Sequence, residues 1–419
     1  MSNLSNATYG GQTPACQQGA RAPLGNITKS TFTQAQSDDD KRLGSRRTRY
    51  AMQAMSAQVL RNHRVTSCQK VPSYGVQNGV GTRGISRNEH GHAHFHGVGS
   101  CGDVWACPVC SQRISEGRRG EVLQAMAEHR KNGGVAVLVT WTFSHKRNDD
   151  LGAMVKGFTK ALSVMKGRRA FKRVTENLDY SGQIRALEVT HSDANGWHPH
   201  AHEIWFLDSI PTPDQLSLAK DQLFDLWENI AVKQGLGRPS KQHGIDIQYR
   251  DSSGAEAVGA YVSKWGFELT YAHMKSGKDG SRTPWGILSD LTNNFVYRDS
   301  KLWEEYTKAF KGRAQMFWSR GLKDRFGIND FDDTEMADRP ESEIIVELNS
   351  EQWLAIIKTN KRAEVLEMAE KQPLFLGEFI QELVDEVASW SRDRARLKRR
   401  IVDQTRGHLV DIGLSNTHF

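Results

Sequence analysis

Two histidines and a glutamate near the middle of the chain have the types and spacing of a metal site. His200 and His202 lie in the segment 197–203 (WHPHAHE), which opens a predicted strand. Side chains at i and i+2 of a strand point to the same side, so both imidazoles face one way. Glu188 lies on the partner strand of a predicted hairpin and can add a carboxylate. This donor set suits Mg²⁺ or Mn²⁺ better than structural zinc, although an isolated His-x-His pair is also common among histidines that only pack.

A tyrosine and a lysine further along the chain could supply a nucleophile and a cation. Tyr261 and Lys264 stand three residues apart in a helix predicted over about residues 254–270, so they share one face. A phenol can attack a phosphodiester because a neighbouring cation and a metal stabilise the developing negative charge. A helical tyrosine near a lysine is otherwise commonplace, so this interpretation depends on the histidine pair.

Four of the five cysteines predict a second metal centre. They are Cys68, Cys101, Cys107 and Cys110, and the last two form a Cys-x-x-Cys pair. Four thiolates would hold a structural Zn²⁺, and the alternative is a set of free buried cysteines. Cys16 lies in a polar tail and is not a ligand candidate.

Alternating histidines beside the cysteines form a competing metal-site candidate. They are His90, His92, His94 and His96. Because no hydrophobic strand follows them directly, we assign the active site to His200 and His202. The upstream set is interpreted either as solvated hairpin residues or as an accessory to the cysteine site.

The apolar pattern predicts the elements that must position these side chains. Strands are expected at residues 135–143, 183–190, 200–207 and 245–249, with a helix over 151–165 and a second after a capping box at Thr212. The middle strands form a hairpin, since the polar segment HSDANG joins them. The order β-α-β-β-α-β with one appended helix predicts an α+β fold, a ferredoxin-like antiparallel sheet with helices on one face.

Composition divides the chain into five regions. We expect a disordered tail at 1–48, a Cys-rich and His-rich zinc-type module with a helix at 49–132, the domain of the sheet at 133–290, a basic aromatic helical extension at 291–330, and a mainly helical C-terminal region of unknown role at 331–419. Two interpretations of the aromatic residues in the extension stay open: stacking on nucleic acid, or the core of an amphipathic helix. These residues are Trp303, Tyr306, Phe310, Phe317 and Trp318.

The charge balance and hydropathy narrow the class of protein. The 419 residues carry a formal net charge of +7, which is compatible with a nucleic-acid partner. No apolar run approaches the length of a membrane span and no signal peptide is recognisable, so we expect a cytoplasmic protein without a membrane partner. A phosphate-binding Gly-Lys-Ser/Thr loop is also missing from the sequence, which predicts that the protein does not hydrolyse ATP.

Five blocks carry a resemblance to a known superfamily. They are TWTF at 140–143, LEVT at 187–190, WHPHAH at 197–202, AYVSKW at 260–265 and CGDVWACPVC at 101–110. In this order they resemble the motifs of the rolling-circle replication initiators of the HUH endonuclease superfamily, and more narrowly the plasmid Rep proteins. The resemblance runs from about residue 68 to residue 321.

The resemblance implies a role for each matching residue. His200 and His202 would bind the metal with Glu188 as a third ligand, Tyr261 would be the nucleophile, and Lys264 would position the phosphate or the metal. Such enzymes nick one strand of single-stranded or hairpin origin DNA, stay linked to the 5′ phosphate and release a 3′-OH that a host DNA polymerase extends.

Two features bear on how a replication round would end. Trp265 stands where some relatives have a second tyrosine, so a single-tyrosine enzyme is expected. Termination would then use water activated by Glu256, or the tyrosine of a second subunit in a homodimer.

Competing functions are a single-strand DNA transposase of the same superfamily and a zinc-containing DNA-binding regulator without catalysis.

Overall fold

A five-stranded antiparallel sheet lies at the centre of the computed structural model, which describes residues 38–79, 81–88, 91–249, 280–338 and 343–411. For residues 38–44, 395 and 397–411 the description covers the backbone alone. The strands of this sheet are β3 (Val135–Trp141), β4 (Tyr180–Ser192), β5 (Gly196–Leu207), β6 (Ile245–Gln248) and β7 (Met316–Trp318), and their spatial order is β6-β3-β5-β4-β7. The first four follow the ferredoxin-like order, which confirms the predicted fold class.

Helices cover one face of this sheet. They are α4 (Leu151–Lys166), α5 (Arg169–Glu176) and α6 (Pro213–Lys233), and α6 begins with the predicted capping box at Thr212. Trp141 of β3 and Trp205 of β5 are fully buried beneath them, and Trp141 packs edge-on against Trp227 of α6 at 5.6 Å between ring centroids. Burial of such large aromatic side chains fixes the sheet against these helices.

A further helix covers part of the opposite face; the helix was predicted, but its position on the sheet was not. Helix α3 (Pro108–Lys131) packs Val122 and Ala125 against Ile204 and Phe206 of β5. Residues of β5 alternate between faces, so His202, His200 and His198 continue the same row beyond Ile204. One face of β5 therefore carries an apolar end under α3 and a histidine end.

The N-terminal module includes three further helical elements and two strands. These are α1 (Asp38–Val59), a 3₁₀ turn at Arg64–Thr66, α2 (Tyr74–Gln77), β1 (Gly84–Arg87) and β2 (Ala93–His96). Helix α1 begins at Asp38, within the segment predicted as the tail. The second half of the helix packs Tyr50 and Met52 into the core, and polar contacts add to this: Tyr50 donates to Gln69 Oε1 (2.9 Å), and the Ser56 hydroxyl donates to Ala106 O (2.7 Å).

The extension at 291–330 contains a strand that the sequence assigned to helix. After α7 (Pro284–Asn293) and α8 (Tyr297–Phe310), β7 pairs with β4 at the edge of the central sheet. Trp303, Tyr306 and Phe310 are buried, which favours the core interpretation for these three. Phe317 on β7 is 49% exposed, and the Arg185 guanidinium lies 5.0 Å from the centre of its ring.

The C-terminal region is mainly helical but contributes one strand to a second sheet. Its elements, after α9 (Leu322–Arg325) and α10 (Asp333–Asp338), are β8 (Glu343–Glu347), α11 (Ser350–Lys358), α12 (Arg362–Lys371) and α13 (Leu376–Asp411). Strand β8 pairs antiparallel with β1, which gives a sheet of order β2-β1-β8. Among the described residues, no helix is both long and apolar enough to cross a membrane. The boundaries of the five predicted regions otherwise stay predictions.

Candidate active site

Glu188, His200 and His202 converge on one face of the central sheet. Their nearest ligand atoms lie within 4.8 Å of one another. Glu188 Oε2 is 3.3 Å from His200 Nε2 and 3.7 Å from His202 Nε2. The three side chains are 13–20% exposed, so a small ion could reach them from solvent. Two imidazoles and one carboxylate at these separations fit a divalent cation, and the chemistry of the donors rather than a bound ion supports this conclusion.

The register of the strands produces this convergence. Glu188 on β4 lies directly opposite His200 on β5, and Thr140 on β3 lies opposite His202. Directly paired residues of antiparallel strands share a face and stand about 5 Å apart, which is within reach of one metal ion. A slip of one residue between β4 and β5 would turn Glu188 to the other face and destroy the cluster.

The second nitrogen of each histidine ring is also held. Thr140 Oγ1 lies 2.9 Å from His202 Nδ1, and the carbonyl oxygen of His198 lies 3.2 Å from His200 Nδ1. In metal sites such contacts to the outer nitrogen fix the ring orientation and direct the other nitrogen to the ion. Thr140 is thus a supporting residue that the sequence reasoning missed, although it stands in the TWTF block that had been singled out.

Two more imidazoles extend the row away from the candidate metal ligands. The His198 ring stacks on His200 at 5.4 Å between centroids, and the His145 ring lies 4.8 Å from that of His198. Burial, with the nearby His200 and His145, lowers the pKa of His198 to about 3, and burial also lowers the pKa of His145. Since an imidazole with such a low pKa is neutral near pH 7, His198 adds no positive charge to the site.

A buried ion pair stabilises strand β5 on the face opposite the histidines. Glu203, next to His202, is 0% exposed and pairs with Lys166 of α4. Its carboxylate also accepts hydrogen bonds from the indoles of Trp141 (3.0 Å) and Trp205 (2.9 Å) and from the Gln183 amide (3.1 Å). These donors connect β3, β4, β5 and α4 at one carboxylate, and they fix the strand that carries both histidines.

The four predicted cysteines also come together. Their sulfur atoms are all buried, with Sγ–Sγ distances of 3.4 Å between Cys68 and Cys110, 3.6 Å between Cys101 and Cys110, and 3.6 Å between Cys107 and Cys68. Four thiolates at the usual Zn–S distance would form a tetrahedron with edges of about 3.8 Å, close to these values. Backbone N–H groups of Cys101 and Cys110, with the Gln53 amide, point at sulfur atoms of the cluster. The cluster therefore fits a tetrahedral metal ion.

The upstream histidines take no part in either cluster. Within the described ranges, groups of three or more metal-ligating side chains form only at the two places above, and these exclude His92, His94 and His96. His94 and His96 lie on the β1–β2 hairpin, and burial, with Arg113 nearby, lowers the pKa of His94 to about 4. His96 Nδ1 lies 2.7 Å from Ser86 Oγ. His90 is outside the described residues.

Tyr261 and Lys264 are outside the described residues, as are Glu256 and Trp265. Their predicted roles therefore stay predictions. The described chain on each side of 250–279 is attached to the central sheet: Asp246 of β6 pairs with Thr140, and Arg282 forms a bridge with His191 at the end of β4.

These observations define an α+β protein whose ferredoxin-like sheet presents a His-His-Glu cluster and whose N-terminal module contains a four-cysteine cluster. Residues 92–231 match the family model described as a replication protein, a range that includes Glu188 and both histidines. A protein of Streptomyces lividans named Protein rep is 27% identical over 376 residues, which cover 72% of this chain and 82% of that protein.

Two other relatives match more weakly or over shorter stretches. A Lentilactobacillus hilgardii protein, also named Protein rep, is 21% identical over 221 residues, which cover 52% of this chain and 63% of that protein. A Streptomyces cyanogenus protein named Neomycin resistance protein is 32% identical over 144 residues, which cover 29% of this chain and 33% of that protein. No solved structure matches the chain. The chain is thus similar to Rep replication initiator proteins.

Proposed function

We propose that this chain is a single-tyrosine HUH endonuclease that nicks one strand of plasmid origin DNA and so starts rolling-circle replication. The observation that carries the proposal is the convergence of Glu188, His200 and His202 on one face of a ferredoxin-like sheet, in a chain that matches replication proteins. A regulator without catalysis would have no use for this cluster.

The candidate ligands would hold Mg²⁺ or Mn²⁺ at the scissile phosphate. A bound divalent ion there would act as a Lewis acid on a phosphate oxygen. His202 and His200 would present Nε2 because Thr140 and the His198 carbonyl engage Nδ1. Glu188 would contribute the one negative charge of the ligand set, which leaves the bound ion a net positive charge with which to attract the phosphate.

Tyr261 would perform the attack, with Lys264 as the neighbouring cation. The phenol gives its proton to solvent as its oxygen bonds to phosphorus, the bond from phosphorus to the 3′ oxygen breaks, and the leaving 3′ oxygen takes a proton from solvent. The products are a 5′-phosphotyrosine ester and a free 3′-OH, which a host DNA polymerase can extend. The reverse attack by a 3′-OH rejoins the strand, since the ester keeps the phosphodiester's energy.

The attachment of the described chain on each side of residues 250–279 supports this assignment. Asp246 and Arg282 both pair with strands of the sheet that carries the cluster. Arg282 is anchored by Asp299 at 2.7 Å and 2.9 Å. The chain that contains Tyr261 therefore leaves from and returns to the sheet of the candidate metal site.

We further propose that the cysteine cluster holds one structural Zn²⁺ and that the protein works in the cytoplasm with a host helicase. The converging sulfur atoms support the first part. The second part rests on the sequence, which has no ATP-binding loop of the Gly-Lys-Ser/Thr type. A homodimer would supply a second tyrosine if water activated by Glu256 does not end the replication round.

The test is covalent capture of DNA. Purified protein is incubated with Mn²⁺ and single-stranded DNA fragments of the replicon that encodes it, then separated under denaturing conditions. The wild type and Tyr297→Phe, in which an exposed tyrosine outside the proposed site is changed, should each form one adduct, and Tyr261→Phe should form none. An adduct that persists in Tyr261→Phe would assign the nucleophile elsewhere, and no adduct in the wild type would remove the proposal.

A further inference from the structure

The C-terminal region packs on the cysteine module, far away in sequence. Trp353 of α11 donates its indole N–H to the carbonyl oxygen of Lys70 (2.8 Å) and meets Phe95 edge-on at 5.1 Å between ring centroids. Glu370 of α12 forms an ion pair with Arg46 of α1 at 2.7 Å. The helices after residue 350 thus complete the module that holds the cysteines.

Arg362 of α12 is a fully buried cation within this contact. It is 1% exposed, and its Nη1 donates to the carbonyl oxygens of Cys68 (3.4 Å) and Gln69 (3.3 Å). Its guanidinium carbon lies 4.6 Å from the centre of the Tyr50 ring. In the part of the chain that the structure describes, no carboxylate lies within ion-pair distance of Arg362, and its Nη2 has no hydrogen-bond partner.

A buried guanidinium without an anion is costly, because the lost hydration is not replaced by an opposite charge. Arg46, in the same module, shows the ordinary solution, since Glu370 neutralises it. Burial raises the pKa of the adjacent Tyr50 phenol, so the groups near Arg362 that become negative most readily are the thiols of Cys68 and Cys107. A divalent ion held by four thiolates carries a net charge of about −2, spread over sulfur atoms that can be stabilised by a nearby cation.

We infer that Arg362 is the counter-charge of a four-thiolate metal centre, which makes α12 an integral part of that centre. The inference rests on the proposed zinc site and goes beyond it by assigning a role to the C-terminal region. Lys70, adjacent to Gln69, is a second basic residue near the thiols of Cys68 and Cys107.

The experiment compares zinc retention by the full-length protein and two variants. Arg362→Gln removes the charge and keeps an N–H donor, whereas Arg362→Lys keeps the charge and loses the planar fork. Zinc content is measured by elemental analysis, and zinc release to a chelator dye is followed by absorbance over a range of pH. We expect Arg362→Gln to bind zinc about 10–100-fold more weakly and to release it at a higher pH than the wild type, with Arg362→Lys close to the wild type.

The control is Arg46→Gln, which unbalances another buried charge of the module without touching the cysteines. It should lower the free energy of unfolding while zinc affinity stays within about twofold, because its partner is Glu370. Equal loss of zinc in Arg46→Gln and Arg362→Gln would overturn the inference by showing a packing effect. If Arg362→Gln does not fold, Arg362→Lys decides, since loss of zinc there would contradict a role for the charge.

The outcomes also separate this inference from the zinc proposal. Wild-type protein that carries one zinc ion, together with unchanged release in Arg362→Gln, would overturn the role of Arg362 and leave the zinc site standing. Wild-type protein purified without chelators that carries no zinc would remove both. Neither result depends on DNA cleavage.

Discussion

Replacing Glu203 with glutamine should destabilise the central sheet by about 3 kcal/mol. Removal of one partner of a buried ion pair costs about 3–5 kcal/mol, since the other charge is left without compensation. We expect the lower end because the Lys166 side chain keeps 20% exposure and the amide oxygen can still accept from the indoles of Trp141 and Trp205. The measurement is the free energy of unfolding from urea titration followed by tryptophan fluorescence.

A double-mutant cycle tests the physical origin of this loss. Lys166→Met should also destabilise the protein, and Glu203→Gln combined with Lys166→Met should lose about 2 kcal/mol less than the two single changes together. Glu305→Gln is the matched control, since Glu305 accepts from the Trp197 indole at 2.9 Å but belongs to no described ion pair. Strict additivity in the cycle would refute the buried pair.

The Glu203–Lys166 pair also predicts how the loss of unfolding free energy in Glu203→Gln depends on pH. Burial raises the pKa of Glu203, but the charge of Lys166 and the hydrogen bonds from Lys166 and Trp205 outweigh it, so the pKa lies below the ordinary 4.5. A carboxylate with a lowered folded pKa contributes stability above its unfolded pKa and loses it as pH falls through the folded value. The difference between wild type and Glu203→Gln should therefore be constant from about pH 5.5 to pH 7, shrink below pH 4.5 as Glu203 is protonated, and shrink again above about pH 8 as Lys166 loses its proton. A difference that grows in acid would contradict this sign.

Four further predictions concern the candidate sites. His200→Ala should abolish metal-dependent DNA cleavage, whereas His94→Ala should leave it intact; the opposite pattern in a nicking assay would reverse the assignment of the active site. Thr140→Val should weaken Mn²⁺ binding about tenfold, measured by calorimetry, because the outer nitrogen of a ligand loses its partner. Cys107→Ser should lose zinc and expose the module to protease before it affects nicking at low temperature. Glu256→Gln should nick normally and fail to release DNA if water ends the round, and normal release would favour a second subunit.

Much of the central sheet could be predicted because its local patterns agree with its tertiary contacts. Strand β5 alternates polar histidines with buried Ala201, Glu203 and Trp205, and the capping box at Thr212 is a contact between near neighbours. Glu188 could be placed opposite His200 because a tight hairpin connects their strands, which leaves few registers. The convergence of the cluster follows from these local signals.

The missed features depend on contacts between residues far apart in sequence. No local sequence signal marks Met316–Trp318 as a strand, because this segment becomes a strand only by pairing with β4. Helix α1 is stabilised by contacts with distant segments, through partners such as Gln69 and Ala106. The role of Thr140 required the register between β3 and β5, which no single segment encodes.

The pairing of β1 with β8 sets an order for folding during synthesis. Gly84 of β1 meets Glu347, so the partner strand leaves the ribosome roughly 260 residues later. At ordinary rates of translation this delay is on the order of tens of seconds. The central strands β3 to β6 are complete well before then, so we expect the nascent chain to carry a formed central sheet next to an N-terminal module whose β1 edge is still unpaired. That edge is a template for intermolecular pairing, and chains that stop before residue 343 should need a chaperone to stay dispersed.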